Sequence, residues 1–121
     1  MAKKILIVDD EPNIVLSREF MMKKEGFEVA VANDGDAAIE KVASFKPDLL
    51  LLDVMMPKKS GYEVCQILRA DAANQSLKII MLTAKGRETE VAKGVAVGAD
   101  LYVTKPFSTK DLVAQVKTLL G

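Results

Sequence analysis

Histidine is absent from this 121-residue chain, and cysteine occurs once, at Cys65. A structural zinc site is therefore remote, and no disulfide can close within the chain. Cys65 stands beside Val64, Ile67 and Leu68, so it reads as a small buried hydrophobe rather than a reactive thiol. A surplus of either charge is missing as well: 17 Lys plus Arg face 17 Asp plus Glu, for a formal net charge of zero. Dedicated nucleic-acid binders usually carry a basic excess, so no direct nucleic-acid partner is expected. Nor is there an apolar stretch of membrane-spanning length. The apolar run after Lys4 is too short for the core of a signal peptide. The expected location is cytoplasmic, without a membrane partner. The length suits one domain, taken as residues 1–121, and too few residues remain for two.

What is present is a regular alternation. Half of the residues are hydrophobic, and five short apolar runs recur: Ile5-Leu-Ile-Val8, Val29-Ala-Val-Ala32, Leu49-Leu-Leu-Leu52, Ile79-Ile-Met-Leu82 and Leu101-Tyr-Val103. Three of them are continuously apolar, the mark of strands covered on both faces, as in a parallel sheet. Helical segments lie between them. Pro12 to Glu25 opens with proline and stops at Gly26. Asp36 to Ala43 follows the turn signal Asn33-Asp34-Gly35. Tyr62 to Ala70 and Glu88 to Val97 are the third and fourth. The fifth opens with Ser108-Thr-Lys-Asp111, a capping-box pattern, and sets Leu112, Val113, Val116, Leu119 and Leu120 on one stripe. Strands alternating with helices predict an α/β fold, a (βα)5 three-layer sandwich around a five-stranded parallel sheet. Right-handed crossovers leave few topologies, of which the flavodoxin-like order 2-1-3-4-5 is the common one.

In such a sheet, ligands bind beyond the carboxyl ends of the strands, at the switch point between strands 1 and 3. Strand 1 ends in Asp9-Asp10-Glu11, strand 3 in Asp53, strand 4 in Thr83-Ala84 and strand 5 in Lys105-Pro106. Carboxylates from two strands then meet, and crowded carboxylates need a neutralising partner. A hard divalent cation with oxygen ligands fits, and Mg²⁺ suits a few carboxylates plus waters and a phosphate. Asp53 can serve as a nucleophile toward a phosphoryl donor. Lys105 can pair with the added oxygens, Thr83 can donate to one, and Ala84 leaves room. Each residue has a plainer reading alone. Asp10 could be a turn or helix-capping residue, Thr83 a strand residue, Lys105 a solvated charge. Their joint placement at four strand ends favours a site.

At these residues the sequence resembles the receiver domain of two-component response regulators. The resemblance rests on Ile5-Leu-Ile-Val-Asp-Asp-Glu11, Leu51-Leu-Asp-Val-Met-Met-Pro57 with Gly61, Met81-Leu-Thr-Ala84, Gly98-Ala-Asp100 and Lys105-Pro-Phe107, and it spans the whole chain. It implies that Asp53 is the phosphoacceptor and that Asp9 and Asp10 hold Mg²⁺, with Asp10 the direct ligand. It implies too that the backbone carbonyl of Met55 completes the metal set. Thr83 and Lys105 become the switch hydroxyl and the phosphate-pairing lysine, with Ala84 beside them. Tyr102 becomes the aromatic whose rotamer follows the switch, and the Lys105–Pro106 peptide is cis. The implied function is a phosphorylation-dependent switch. It takes a phosphoryl group from a histidine kinase or phosphotransfer protein and alters the face of the fourth helix, fifth strand and fifth helix toward a downstream target or an output domain. It would be a monomer before phosphorylation, with a dimer open to it afterwards. It would catalyse only its own phosphoryl transfer and a slow self-dephosphorylation.

Two features depart from that pattern. Ser60 stands where many relatives carry Asp before the loop glycine. The first helix puts Ser17 and Arg18 where an apolar residue should face the sheet, leaving Val15, Leu16 and Phe20 outward. Either the helical register is slightly misread or an apolar docking patch is present; the register error is the expectation. Three other functions compete. Phosphatases that use an aspartyl-phosphate usually carry a general-acid Asp two residues after the nucleophile, where this chain has Met55, which cannot move a proton. A partner-binding pseudo-receiver would not need the full acidic set with Thr83 and Lys105. A flavin binder would need a Gly-rich phosphate loop where Asp9-Asp-Glu-Pro12 stands.

Overall fold

The computed structural model describes residues 3–54, 60–84, 98–105 and 108–120. Along the chain run β1 (Lys4–Val8), α1 (Pro12–Lys24), β2 (Glu28–Ala32), α2 (Gly35–Phe45), β3 (Leu49–Asp53), α3 (Gly61–Ala70), a 3-10 turn (Ala72–Asn74), β4 (Lys78–Ala84), β5 (Leu101–Lys105) and α4 (Thr109–Leu120). The helix expected over Glu88 to Val97 lies outside the described residues, so α4 here is the C-terminal helix. The five strands form one sheet in the order β2-β1-β3-β4-β5. Every neighbouring pair is parallel. The expected fold class and strand order are both met.

Continuous apolar runs became central strands because each strand is covered on both faces. Leu6, Val8, Leu50, Leu52, Ile79 and Met81 point to one side and pack with Ala38, Val42, Val64, Cys65 and Leu68 of α2 and α3. Ile5, Ile7, Leu49, Leu51, Ile80 and Leu82 point to the other and pack with Met22 of α1 and Leu112, Val113 and Val116 of α4. The odd–even split along each strand is the pleat at work. Burying one such side chain is worth about 1.5–3 kcal/mol, so the two layers hold the sheet from either side.

The helix starts follow their capping residues. Pro12 occupies the first turn of α1 after Glu11, whose side chain accepts from Asn13 N–H. Asp34 accepts from Ala37 N–H at 2.8 Å, which starts α2 at Gly35, one residue before the expected Asp36. Ser60 accepts from Glu63 N–H at the start of α3, so the serine that departs from the family pattern serves as an N-cap. Ser108 accepts from Asp111 N–H at 3.0 Å, one half of the expected capping box. Chain reversal after α1 uses Gly26 at φ +92°, a conformation that costs glycine little.

At the amino ends of the strands, Asp48 joins three elements. Its carboxylate accepts from Lys4 N–H at 2.8 Å, and its own N–H donates to the Lys4 carbonyl. Its carbonyl in turn accepts from Lys78 N–H. Nearby, Arg69 of α3 donates to the carbonyls of Gly98 (2.9 Å) and Asn74 (2.8 Å) and to Asp100 Oδ2 (2.7 Å). The same Asp100 oxygen accepts from Ile79 N–H.

Candidate functional site

The register brings the site together. Val8 pairs with Leu52, so one step further along the two strands Asp9 meets Asp53. Asp53 pairs with Leu82, which puts Thr83 one step beyond, and Thr83 and Ala84 pair with Thr104 and Lys105. Carboxylate oxygens of Asp9, Asp10 and Asp53 all lie within 4.8 Å of one another. Asp9 and Asp53 are buried, at 1% and 4% exposure, whereas Asp10 is exposed. The cluster is closed below and open at Asp10.

The first approach of α3 fixes the floor. Gly61 N–H donates to the Val54 carbonyl at 3.0 Å. A Cβ on Gly61 would sit 2.7 Å from the Asp53 carbonyl oxygen and 2.9 Å from Val54 Cα. Only a residue without a side chain lets α3 start against the backbone of Asp53.

Thr83 is 2% exposed, and its Oγ1 is buried without a hydrogen-bond partner among the described residues. A buried hydroxyl left unpaired is costly, which makes it a poor choice for a purely structural strand residue. Tyr102 is half-buried, rests against the core on the α2–α3 side, and donates to Met81 Sδ at 3.3 Å. Burial first, and then the neighbouring Tyr62 and Cys65, push its phenol above the ordinary range. The ring expected to follow the switch thus leans on the core. Burial likewise raises the Cys65 thiol, with Arg69 opposing and Asp100 adding. Cys65 is fully buried, as its apolar neighbours predicted. The side chains of Ala84 and Lys105, together with Met55 and Pro106, lie outside the described residues.

Sequence reasoning passed over one residue. Arg18 is 7% exposed, and its guanidinium donates to Asp9 Oδ2 at 2.8 Å. The other Asp9 oxygen accepts from Glu11 N–H at 3.0 Å. The register of α1 is therefore correct: Arg18 and Met22, four residues apart, are its buried residues. The expectation of a register error is withdrawn, because the inward position is filled by a cation with a carboxylate to meet. Leu16 and Phe20 are exposed, at 63% and 67%. Periodicity turned Arg18 toward the sheet, but its pairing with Asp9 appears only in the fold.

The donor set suits the metal that the resemblance implied. It is all oxygen, partly open to water, and crowded with negative charge, which is the chemistry of Mg²⁺ rather than of a softer ion.

The sequence matches the profile of the response regulator receiver domain over residues 5–117. The chain belongs to that family. Solved structures agree. A response regulator signal receiver domain from Bermanella marisrubri is 32% identical, with all of both chains covered and a TM-score of 0.91. The chemotaxis response regulator CheY4 of Vibrio cholerae is 29% identical over 98% of this chain and 99% of that one, with a TM-score of 0.92. The receiver domain of a signal transduction histidine kinase from Syntrophus aciditrophicus is 30% identical over 98% and 90%, again with a TM-score of 0.92. As a receiver domain of two-component signalling, the chain is a phosphorylation-dependent signalling element. Among its described residues, no helix is long and apolar enough to cross a membrane.

Proposed function

We propose that this receiver, taken as residues 1–121, is switched by a phosphoryl group on Asp53. The observation that carries the reading is the burial of Asp53 at the end of β3 within the acidic cluster. An Asp53 oxygen attacks phosphorus. The phosphorus–nitrogen bond of a donor phosphohistidine breaks, and the imidazole leaves with its electron pair and is protonated by solvent. The chain has no histidine, consistent with a separate kinase or phosphotransfer protein as donor. Mg²⁺ would be held by Asp10 and Asp53 with the Met55 carbonyl, and it supplies charge neutralisation for the oxygens in transit. Both Asp9 oxygens are engaged by protein donors, which favours Asp10 over Asp9 as the direct ligand.

Thr83 and Lys105 then meet the added charge. The buried Thr83 hydroxyl gains a charge-assisted hydrogen bond when a phosphoryl oxygen arrives, and its lack of a partner among the described residues supports that role. Lys105, at the end of β5, pairs with another oxygen while Ala84 leaves space. Tyr102 follows Thr83, and the face of residues 88–97, β5 and α4 carries the change to a cytoplasmic target or output domain. Unphosphorylated chains are monomers in this reading, with a dimer open to them after phosphorylation. The residual activity is slow self-dephosphorylation, since Met55 offers no base or water-holding group.

Acetyl phosphate with Mg²⁺ should add one phosphoryl mass to the wild type and none to Asp53→Ala, read by intact mass spectrometry. A variant that still gains the mass would overturn Asp53 as acceptor.

A further inference from the structure

The metal pocket already contains a cation that belongs to the chain. Arg18 is almost fully buried, sits on the sheet-facing side of α1, and shares Asp9 with the acidic cluster at 2.8 Å. No other part of the proposed reaction uses it. Its burial is not a packing convenience, since an apolar side chain at that position would continue the face begun by Met22 and would spare the desolvation of a guanidinium. What Arg18 does have is a buried carboxylate, Asp9, that would otherwise be an uncompensated charge beside two more.

We propose that Arg18 is a resident counter-cation that sets the Mg²⁺ affinity of this pocket, acting through Asp9 as a positioning residue; the inference rests on the metal reading above. In the metal-free domain it neutralises Asp9 and offsets the repulsion among the three carboxylates. When a divalent cation arrives, the same charge opposes it. With Arg18 2.8 Å from Asp9 Oδ2 and a metal about 2.1 Å from the other carboxylates, the two cations would stand on the order of 6 Å apart. At that separation a single and a double charge repel strongly enough, even at the dielectric of water, to weaken binding on the order of tenfold. The pocket thereby trades metal affinity for a stable empty state. An arginine serves this end because it stays charged at any working pH and its planar fork fixes the carboxylate.

Mg²⁺ titrations by calorimetry, with thermal melts in zero and saturating Mg²⁺, test the idea on wild type, Arg18→Leu, Arg18→Gln and Arg18→Lys. The neutral variants should bind Mg²⁺ about tenfold more tightly, melt below wild type without metal, and recover most of the difference when saturated. Arg18→Lys should stay near wild type in both respects. If Arg18→Leu does not fold, Arg18→Gln decides, because its amide can still donate to Asp9 without the charge. Unchanged or weaker Mg²⁺ binding in the neutral variants, with a melting deficit equal in both conditions, would mean that Arg18 is structural only and overturns the proposal. Absence of Mg²⁺ binding in the wild type itself would instead remove the metal reading, and this inference with it.

Discussion

The two ends of the sheet treat acidic groups in opposite ways. At the amino ends, Asp48 is fully employed: its carboxylate, N–H and carbonyl tie the starts of β1 and β4 together. At the carboxyl ends, three carboxylates crowd within 4.8 Å and a threonine hydroxyl lies buried without a partner among the described residues. The first arrangement spends polar groups on holding the fold. In the second, Arg18 answers Asp9 while Asp10 stays open to solvent. At one end the polar groups tie strands together; at the other, crowded carboxylates and the Thr83 hydroxyl, which has no partner among the described residues, gather at one place.

Substitutions at the two ends should therefore differ in sign. Asp48→Ala strands the Lys4 N–H at the start of β1 and should lower unfolding stability by about 1–2 kcal/mol in urea titrations. A neutral result would show that water replaces the carboxylate there and would erase the contrast. Thr83→Val, by comparison, removes a hydroxyl with no partner among the described residues and keeps the shape, so the unphosphorylated domain should be unchanged or more stable by up to about 1 kcal/mol. The same variant should lose the response of Tyr102 when beryllofluoride is added, followed by amide shifts. A Thr83→Val protein that is clearly destabilised would mean that the hydroxyl already has a structural partner.

The smallest expected effect is at alkaline pH. Burial raises the Cys65 thiol above its ordinary 9.0 and the Tyr102 phenol above 10.0. For both groups the folded state retains the proton longer than the unfolded chain does. Their contribution to stability is complete below those ordinary values and is lost as pH rises above them. Melting temperature should thus fall gently from about pH 9 upward, and less steeply in Cys65→Ala and Tyr102→Phe. An equal slope in those variants would locate the alkaline loss elsewhere.

Sequence carried the sheet and its carboxyl ends well, because continuous apolar runs and the acidic residues that end them are one-dimensional signals. The strands over residues 5–8 and 49–52 came within one residue of β1 and β3. Asp34 was harder: as part of a turn signal it hid its role as a cap, so α2 was expected one residue short at its start and two at its end. The 3-10 turn at Ala72–Asn74 has too few residues to impose a period. Arg18 was misjudged for a physical reason. Periodicity set it inward, but a lone arginine on an apolar face costs desolvation, and only the three-dimensional position of Asp9 shows what offsets that cost.

The Arg69 bonds have a mechanical consequence. One guanidinium holds Gly98, Asn74 and Asp100, and Asp100 also holds Ile79 N–H, so the beginnings of β4 and β5 are riveted to the end of α3. β5 is also paired with β4 from Leu101 to Lys105, so it can yield only by tilting together with that ladder. With about 3.3 Å of rise per residue, a tilt about Asp100 moves Leu101 least and Lys105 most. β5 is then a pointer whose pivot lies at the amino end of the sheet and whose tip lies beside Thr83 and Ala84. Cutting the rivet should loosen the amino end of β5 and leave its position at the carboxyl end to the pairing with β4 alone.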